Sequence, residues 1–298
     1  MDEKKIMADD KLEAELKALR CKEKTFTILM FGSFAAFLVF AFMGVVPMIV
    51  IGLVLFVVFM CNSVRTQIKV QDLLNENVIN VVLKEALGAD VEYKPWEKII
   101  PDKTMLPFPY CDENGSQHIK AVYNGMNIEL GNITFFNKEE YQDQDGTSTK
   151  SVPQFKGQWL ICDFGKELSG EVRLSANTKN LRKKNKNNNI EMENEEFNKR
   201  FLVIAGNPEE AYYILTPHKM EYILSMADKS GGEVYMSFLR DGKLHVAVQT
   251  GRDFFELGKN NANVEELRQK FLGELRWFTD IIDTLCMENT IYKKETNA

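Results

Sequence analysis

No signature of a reaction stands in this sequence, and that absence narrows the reading first. The three histidines, His118, His218 and His245, lie too far apart for a His-Glu-x-x-His or similar metal site. There is no Gly-x-x-x-x-Gly-Lys-Ser/Thr phosphate loop and no Gly-x-Ser-x-Gly nucleophile elbow. Cys21, Cys61, Cys111, Cys162 and Cys286 form an odd, scattered set without a Cys-x-x-Cys pair. That fits a reducing compartment and speaks against a disulfide framework or a zinc knuckle. A basic face is missing as well: the net charge is −6 with both signs interspersed, so no nucleic-acid partner is expected. Nothing in these residue types implies a cofactor.

The longest absence is of charge. Between Lys24 and Arg65 there is no charged residue, and Phe, Ile, Leu, Val, Met, Ala and Gly fill most of the run. A bilayer core of ~30 Å needs about 20 apolar residues, so the run is long enough for two crossings. It breaks at Gly44-Val45-Val46-Pro47, and proline suits the first turn of a helix. The run therefore predicts a helical hairpin, Phe26 to Met43 and Pro47 to Asn62. A secretory signal would be shorter and nearer the N-terminus, and a soluble core hairpin would carry a polar face. Lys17, Arg20, Lys22 and Lys24 precede the hairpin and Arg65 and Lys69 follow it, while its turn has no basic residue. Both termini are thus expected on the cytoplasmic side.

Residues 1–24 are charged, with Leu12, Leu16 and Leu19 at helical spacing and Asp9 or Asp10 placed to cap. The stripe is narrow, which favours a solvated helix over an interfacial one. After Arg65, Val70, Leu74, Val78, Val81, Val82 and Leu87 continue a helical period until Gly88. Residues 89–110 hold Pro95, Pro101, Pro107 and Pro109 among apolar side chains, which reads as a packed arm rather than a central strand.

Asn124-Gly125 between Ile119–Tyr123 and Met126–Leu130 predicts a hairpin with a type I′ turn. Strands are expected at Ile133–Phe136, Trp159–Phe164 and Val172–Ala176, with a polar loop over Gln142–Ser151 containing Asp145-Gly146. Lys179, Arg182, Lys183, Lys184 and Lys186 sit in an Asn-rich stretch followed by Glu191, Glu193, Glu195 and Glu196. Charge blocks of this kind favour a solvated loop over a headgroup-binding cluster. Phe201–Ala205 reads as a strand, resumed at Ala211–Leu215. Thr216-Pro217 then starts a helix, a cap worth ~1 kcal/mol, with Leu215 and Met220 as a hydrophobic staple. A two-residue loop at Asp241-Gly242 would pair Leu239 with Leu244, Ser237 with Val246 and Tyr235 with Val248, placing His245 across from Phe238 as a core histidine. From Asn263, a helix of about 25 residues buries Val264, Leu267, Phe271, Leu275, Phe278, Ile282 and Leu285.

Asn207-Pro208-Glu209-Glu210-Ala211-Tyr212-Tyr213-Ile214-Leu215-Thr216-Pro217 and Asp253-Phe254-Phe255-Glu256, set after two membrane helices, resemble the bacterial family catalogued as domain of unknown function 3137. That family typically reads Glu-Ala-Arg-Tyr-Ile-Leu-Thr-Pro here. Glu210-Ala211, Tyr213-Ile214-Leu215 and Thr216-Pro217 match, while Tyr212 stands where arginine is usual and removes an ion-pair or anion contact. The resemblance implies a membrane-bound bacterial protein without an established activity.

The expected fold class is α+β: an N-terminal two-helix transmembrane hairpin, then a domain of mostly antiparallel strands with packed helices. The expected plan is a charged helix over 1–24, the hairpin over 25–64, a helical extension over 65–88 and a cytoplasmic domain over 89–298 with a polar loop at 177–199. The favoured function is a membrane-anchored interaction or scaffold protein in the bacterial inner membrane, two-pass, with the bilayer and a protein as partners. The alternatives are a tethered sensor for a small ligand or lipid headgroup, and an enzyme with an unrecognised site. Glu210, Arg252, Asp253 and Glu256 are the candidate binding residues, and a shared polar pocket would favour the alternatives.

Overall fold

A computed structural model describes residues 7–102, 106–143, 146–163, 168–176, 189–256 and 263–286. The chain divides into two compact units, Met1–Val82 with Leu257–Phe271, and Leu83–Glu256 with Leu272–Ala298.

In the first unit, α1 (Asp9–Met43) and α2 (Val46–Leu74) are antiparallel partners. Gly44, at φ 71°, ends α1 in the left-handed conformation, and the Val45 N–H reaches back to the Phe40 carbonyl at 3.2 Å. The helices close up at Gly52, where an added Cβ would lie 3.1 Å from Phe37 Cα. Near the charged ends Gln67 Nε2 donates to Glu23 Oε1 at 2.9 Å.

The charged N-terminal segment and the first apolar segment form one unbroken helix, and its cap differs from expectation. Ala8 occupies the N-cap, where its methyl offers no side-chain bond, and Asp9 instead accepts two bonds of 2.8 Å from Arg268. That hydrogen-bonded guanidinium draws the Asp9 pKa below its usual value. Leu12 and Leu16 are buried rather than solvated. As the period predicts, α2 runs on past Arg65, through a π-helical segment (Asn75–Ile79) into α3 (Asn80–Leu87), which Gly88 terminates at φ 98°. In the π segment buried Asn77 accepts from the Met7 N–H and donates to the Leu73 carbonyl, both at 2.9 Å.

The second unit carries a nine-stranded sheet with β1 (Val91–Lys94), β2 (Asp112–Tyr123), β3 (Met126–Asp143), β4 (Gly146–Asp163), β5 (Val172–Ala176), β6 (Asn189–Ile190), β7 (Phe201–Ala205), β8 (Glu233–Phe238) and β9 (Lys243–Gln249). Its order is β1-β2-β3-β4-β9-β8-β5-β7-β6, with antiparallel neighbours throughout. Helices α4 (Glu195–Arg200), α5 (Pro208–Ile214), α6 (Pro217–Lys229) and α7 (Val264–Ile281) follow in chain order, and a second π segment (Ile282–Cys286) ends the described chain. The Asn124-Gly125 turn has the two positive φ angles of type I′, 49° and 80°, with Tyr123 opposite Met126.

Four local readings change. In the polar stretch at 142–151, residues 142–143 and 146–151 are strand: β3 and β4 stay paired from Phe135↔Phe155 out to Asp143↔Gly146, although β2 pairs with β3 only as far as Phe136. Around residues 137–152 the two strands pair with each other among the described residues, forming a two-stranded arm. Residues 189–190 are β6 and residues 195–200 are α4 rather than loop, while the basic cluster at 179–186 lies outside the described residues. Residues 211–214 are helical, because Asn207 caps α5 by accepting from the Glu209 N–H at 3.0 Å, with Pro208 in the first turn.

The fourth change is register. The β8–β9 turn is closed by Leu239 N–H to the Lys243 carbonyl at 2.9 Å and by Gly242 at φ 78°, so three residues, Arg240 to Gly242, lie inside it rather than two. Ser237 therefore lies opposite His245, and Phe238 opposite Leu244. A one-residue slip moves side chains to the other face of a sheet. His245 thus shares its face with Ser237 and Tyr235, not with Phe238.

One face of the sheet is covered by the proline-rich arm: Ile99 and Leu106 pack in one cluster with Ile133, Phe135, Phe155, Trp159, Tyr235 and Ala247. The rings of Phe135 and Phe155 each stand 6.1 Å from that of Trp159.

Thr216 precedes α6 in an extended conformation, but its hydroxyl makes no capping bond. Thr216→Ala is thus expected to change stability by less than ~0.5 kcal/mol. Asn194, which accepts from the Phe197 N–H at 3.0 Å, is the cap whose loss to alanine should cost ~1 kcal/mol. Denaturant midpoints of the two variants check the contrast.

Candidate functional site

The four residues singled out from the sequence fall at two separate places in the second unit. Glu210 sits in the first turn of α5 and accepts both the backbone N–H of Ser169 and its hydroxyl, the latter at 2.6 Å. The Ser169 hydroxyl holds the Glu210 carboxyl below its ordinary pKa. Gly170 lies close beside it, and a Cβ there would lie 2.7 Å from Glu210 Oε2, so the carboxylate would have to shift. Glu210 thus ties the turn before β5 to α5.

Arg252 contributes backbone: its carbonyl accepts from Gln158 Nε2 and from the Thr250 hydroxyl. Asp253 pairs with Lys156 at 3.2 Å, a half-exposed ion pair of a kind worth at most about 1 kcal/mol. Glu256 is exposed. Between them, buried Phe254 donates its N–H to Asn132 Oδ1 at 2.7 Å, and Phe255, at φ 57°, donates to Glu274 Oε2 at 3.0 Å. This second motif is an anchored turn. Ser169 leads into Val172, which pairs with Phe238 beside the β8–β9 turn, whereas Lys156 lies near Val248 at the far end of β9. The length of β9 separates the two places, roughly 20 Å at strand rise. Glu210 and Asp253 share no pocket.

The register of β8 and β9 brings Asp102, His245 and Ser237 together, the composition of a nucleophilic triad. Hydrogen bonding gives them another role. His245 Nδ1 accepts from the Trp159 indole at 3.2 Å and from the backbone N–H of Asp102 at 3.3 Å. Two donors on Nδ1 leave the ring proton on Nε2, so neither nitrogen is arranged to take a proton from serine. Burial lowers the His245 pKa to about 4, and the ring is neutral at physiological pH. His118, also buried, meets Glu129 Oε2 at 2.8 Å, and His218 is exposed. Among the described residues, no three His, Cys, Asp or Glu side chains form a metal-binding group.

A cleft of about 190 Å³ lies between α6 and the end of α7, lined by Tyr222, Met226, Lys229, Trp277, Asp280 and Thr284 among others. It is smaller than the ~300–1,000 Å³ of ordinary ligand pockets. The Trp277 indole is committed to the Met226 carbonyl at 3.1 Å.

Exposure marks other surfaces. Two helices, Asp9–Met43 and Val46–Leu87, are long and apolar enough to cross a membrane. All but five of the exposed large hydrophobic side chains among the described residues fall between Ile28 and Ile68. The five are Trp96, Ile100, Val122, Tyr212 and Tyr213. The last two are adjacent on α5, 49% and 60% exposed, because Ala211 and Ile214 take its buried face. Tyr212 donates its hydroxyl to the Glu191 carbonyl at 3.3 Å.

Two features escaped the sequence reading. Trp159 meets His245 through strand register, and Asp102 through the proline-rich arm that covers that face of the sheet. Cys162 and Cys286 come together from 124 residues apart.

Residues 153–287 match a family model described as "Protein of unknown function (DUF3137)". No curated protein matches the chain. The crystal structure of the mycobacterial trehalose monomycolate transport factor A, TtfA, aligns with 68% of this chain and 90% of its own at 11% identity, with a TM-score of 0.31. That likeness is too remote to inform on fold or function.

Proposed function

With residues 153–287 matching the DUF3137 family model, we propose that the chain is a membrane-anchored interaction or scaffold protein. Its two apolar helices serve as a two-pass anchor and its sheet-bearing unit binds a protein partner on the cytoplasmic side of a bacterial inner membrane. One observation carries this reading, the distribution of exposed apolar side chains. A belt between Ile28 and Ile68 suits a bilayer, since exposed patches of this extent mark membrane or protein contact. Away from that belt, the adjacent exposed pair is Tyr212-Tyr213, within the family-like motif. Tyrosine is favoured at interfaces because it offers large apolar area with a polar tip. The basic residues flanking the hairpin support cytoplasmic termini. The reading needs no cofactor.

Glu210 then acts by holding α5 in place, and Arg252 and Asp253 stabilise a distant turn. Photo-crosslinking tests the proposal in intact cells, with the full chain carrying a photoreactive residue at 212 or 213. A discrete protein adduct is expected at these positions and not at exposed Lys199 or Glu195 on α4. Lipid adducts alone would overturn the protein-binding reading in favour of a headgroup sensor. Labelling of single cysteines placed near residues 5 and 290 by an impermeant reagent from outside would overturn the topology.

A further inference from the structure

Cys162 and Cys286 occupy places that neither the interaction surface nor the anchor uses. Cys162 lies in the central strand β4, opposite Ile128 on β3 and Leu244 on β9. Cys286 closes the π segment that follows α7. Both are free thiols at most 1% exposed, and their sulfurs stand 3.4 Å apart. Cys21, Cys61 and Cys111 are exposed.

We propose that Cys162 and Cys286 are a dithiol–disulfide pair, a covalent modification site that latches the π-helical turn after α7 onto the middle of the sheet. The sulfurs need to approach by little more than 1 Å to reach the ~2.05 Å of a disulfide. The oxidant is a low-molecular-weight disulfide. One cysteine thiolate attacks it, forming a mixed disulfide and expelling one small thiol. The second thiolate then attacks the protein sulfur and expels the other. Two electrons and two thiol protons pass from the protein to the oxidant, which leaves as two thiols, and one S–S bond replaces two S–H bonds.

The resting pair is protected. The hydrogen bond shared with Cys286, reinforced by burial, raises the Cys162 pKa well above its ordinary value. A buried thiol is a poor nucleophile. Exchange therefore begins when the terminal turn opens and exposes Cys286. That same turn carries Asp283, whose carboxylate accepts from the Tyr123 hydroxyl at 2.9 Å and from Asn124 Nδ2 at 3.0 Å. Closing the bond would hold the β2–β3 turn through Asp283 as well.

The test uses the full-length chain in detergent, with Cys21→Ser, Cys61→Ser and Cys111→Ser so that only the pair remains. Incubation with glutathione disulfide under native conditions is expected to lower the intact mass by two hydrogens. An unreduced digest should join the peptides of Cys162 and Cys286. The melting temperature should rise by several degrees, because the bond closes a long loop of chain, and dithiothreitol should reverse the rise. Adding Cys286→Ser should abolish both changes. Two thiols still labelled after subsequent unfolding, or a glutathione adduct that does not resolve, would overturn the proposal. So would an equal melting shift in the Cys286→Ser chain.

Discussion

Replacing Gly157 by alanine is expected to cost more than ~4 kcal/mol, enough to leave the sheet-bearing unit unfolded. Gly157 lies in β4 opposite Ile133, in the middle of the sheet. A Cβ built there falls 1.8 Å from the Val248 carbonyl oxygen and 2.9 Å from its carbon. Both are backbone atoms of the neighbouring central strand, and no rotamer change moves them. They come close because the chain turns back after β9, where the Gly251 N–H donates to the Lys156 carbonyl at 2.9 Å. Relief of the clash would require β4 and β9 to part. Gly273→Ala is the control: it sits in α7 with nothing within 4 Å of its added Cβ, and should be neutral or stabilising by up to ~1 kcal/mol. Limited proteolysis and denaturant titration of the full chain distinguish the outcomes. A Gly157→Ala chain as resistant as the parent would contradict the close approach.

Acidification is expected to expose the second large effect. Burial brings His245 down to about 4 from the ordinary 6.5, against smaller opposing influences from Asp102, Asp241 and Glu129. The unfolded chain then binds its proton first as pH falls. Stability is therefore full above pH 6.5 and declines between 6.5 and about 4, by up to roughly 3 kcal/mol. His245→Gln should flatten the slope of stability against pH in that window while lowering stability at neutral pH, since the Trp159 indole and Asp102 amide bonds are disturbed. The carboxylates drawn below their usual values, Asp9 and Glu210, act in the same direction. Their loss belongs to lower pH and persists in the variant. An unchanged slope between pH 6.5 and 4 in His245→Gln would show that the histidine does not carry the effect.

What could be read from the sequence was what short-range chemistry determines. The apolar helices, the Gly44 break, the Asn124-Gly125 turn and the strands at Val172–Ala176 and Phe201–Ala205 follow from composition and local pattern. Asn207 was legible as a turn former but not as the cap of a helix, since Tyr212, Tyr213 and Ile214 favour strand locally and tertiary burial of Ala211 and Ile214 decides otherwise. The β8–β9 register failed because Leu239-Arg240-Asp241-Gly242 fits both a two-residue and a three-residue turn, and both strands are apolar on both faces. Alternation then gives no vote between registers. That single ambiguity hid the neighbours of His245. The candidate acids were legible as motif members, but their separation along β9 is a property of sheet order. Likewise, nothing local to Cys162 or Cys286 announces the other.

The sheet order also sets a timetable for synthesis. The first four strands form a chain of neighbours, each pairing with the one before, so they can assemble as the ribosome delivers them. The partner of β4 on its other side is β9, and Asp163 meets Lys243, eighty residues later. At ~5–20 residues per second, that delay is roughly 4–16 s. Throughout it, Gln158 to Asp163 presents an open strand edge bearing Trp159, Leu160 and Ile161, the kind of edge onto which another nascent chain can pair. The interval before β9 emerges is thus when misassembly between copies, and the need for a chaperone, would concentrate.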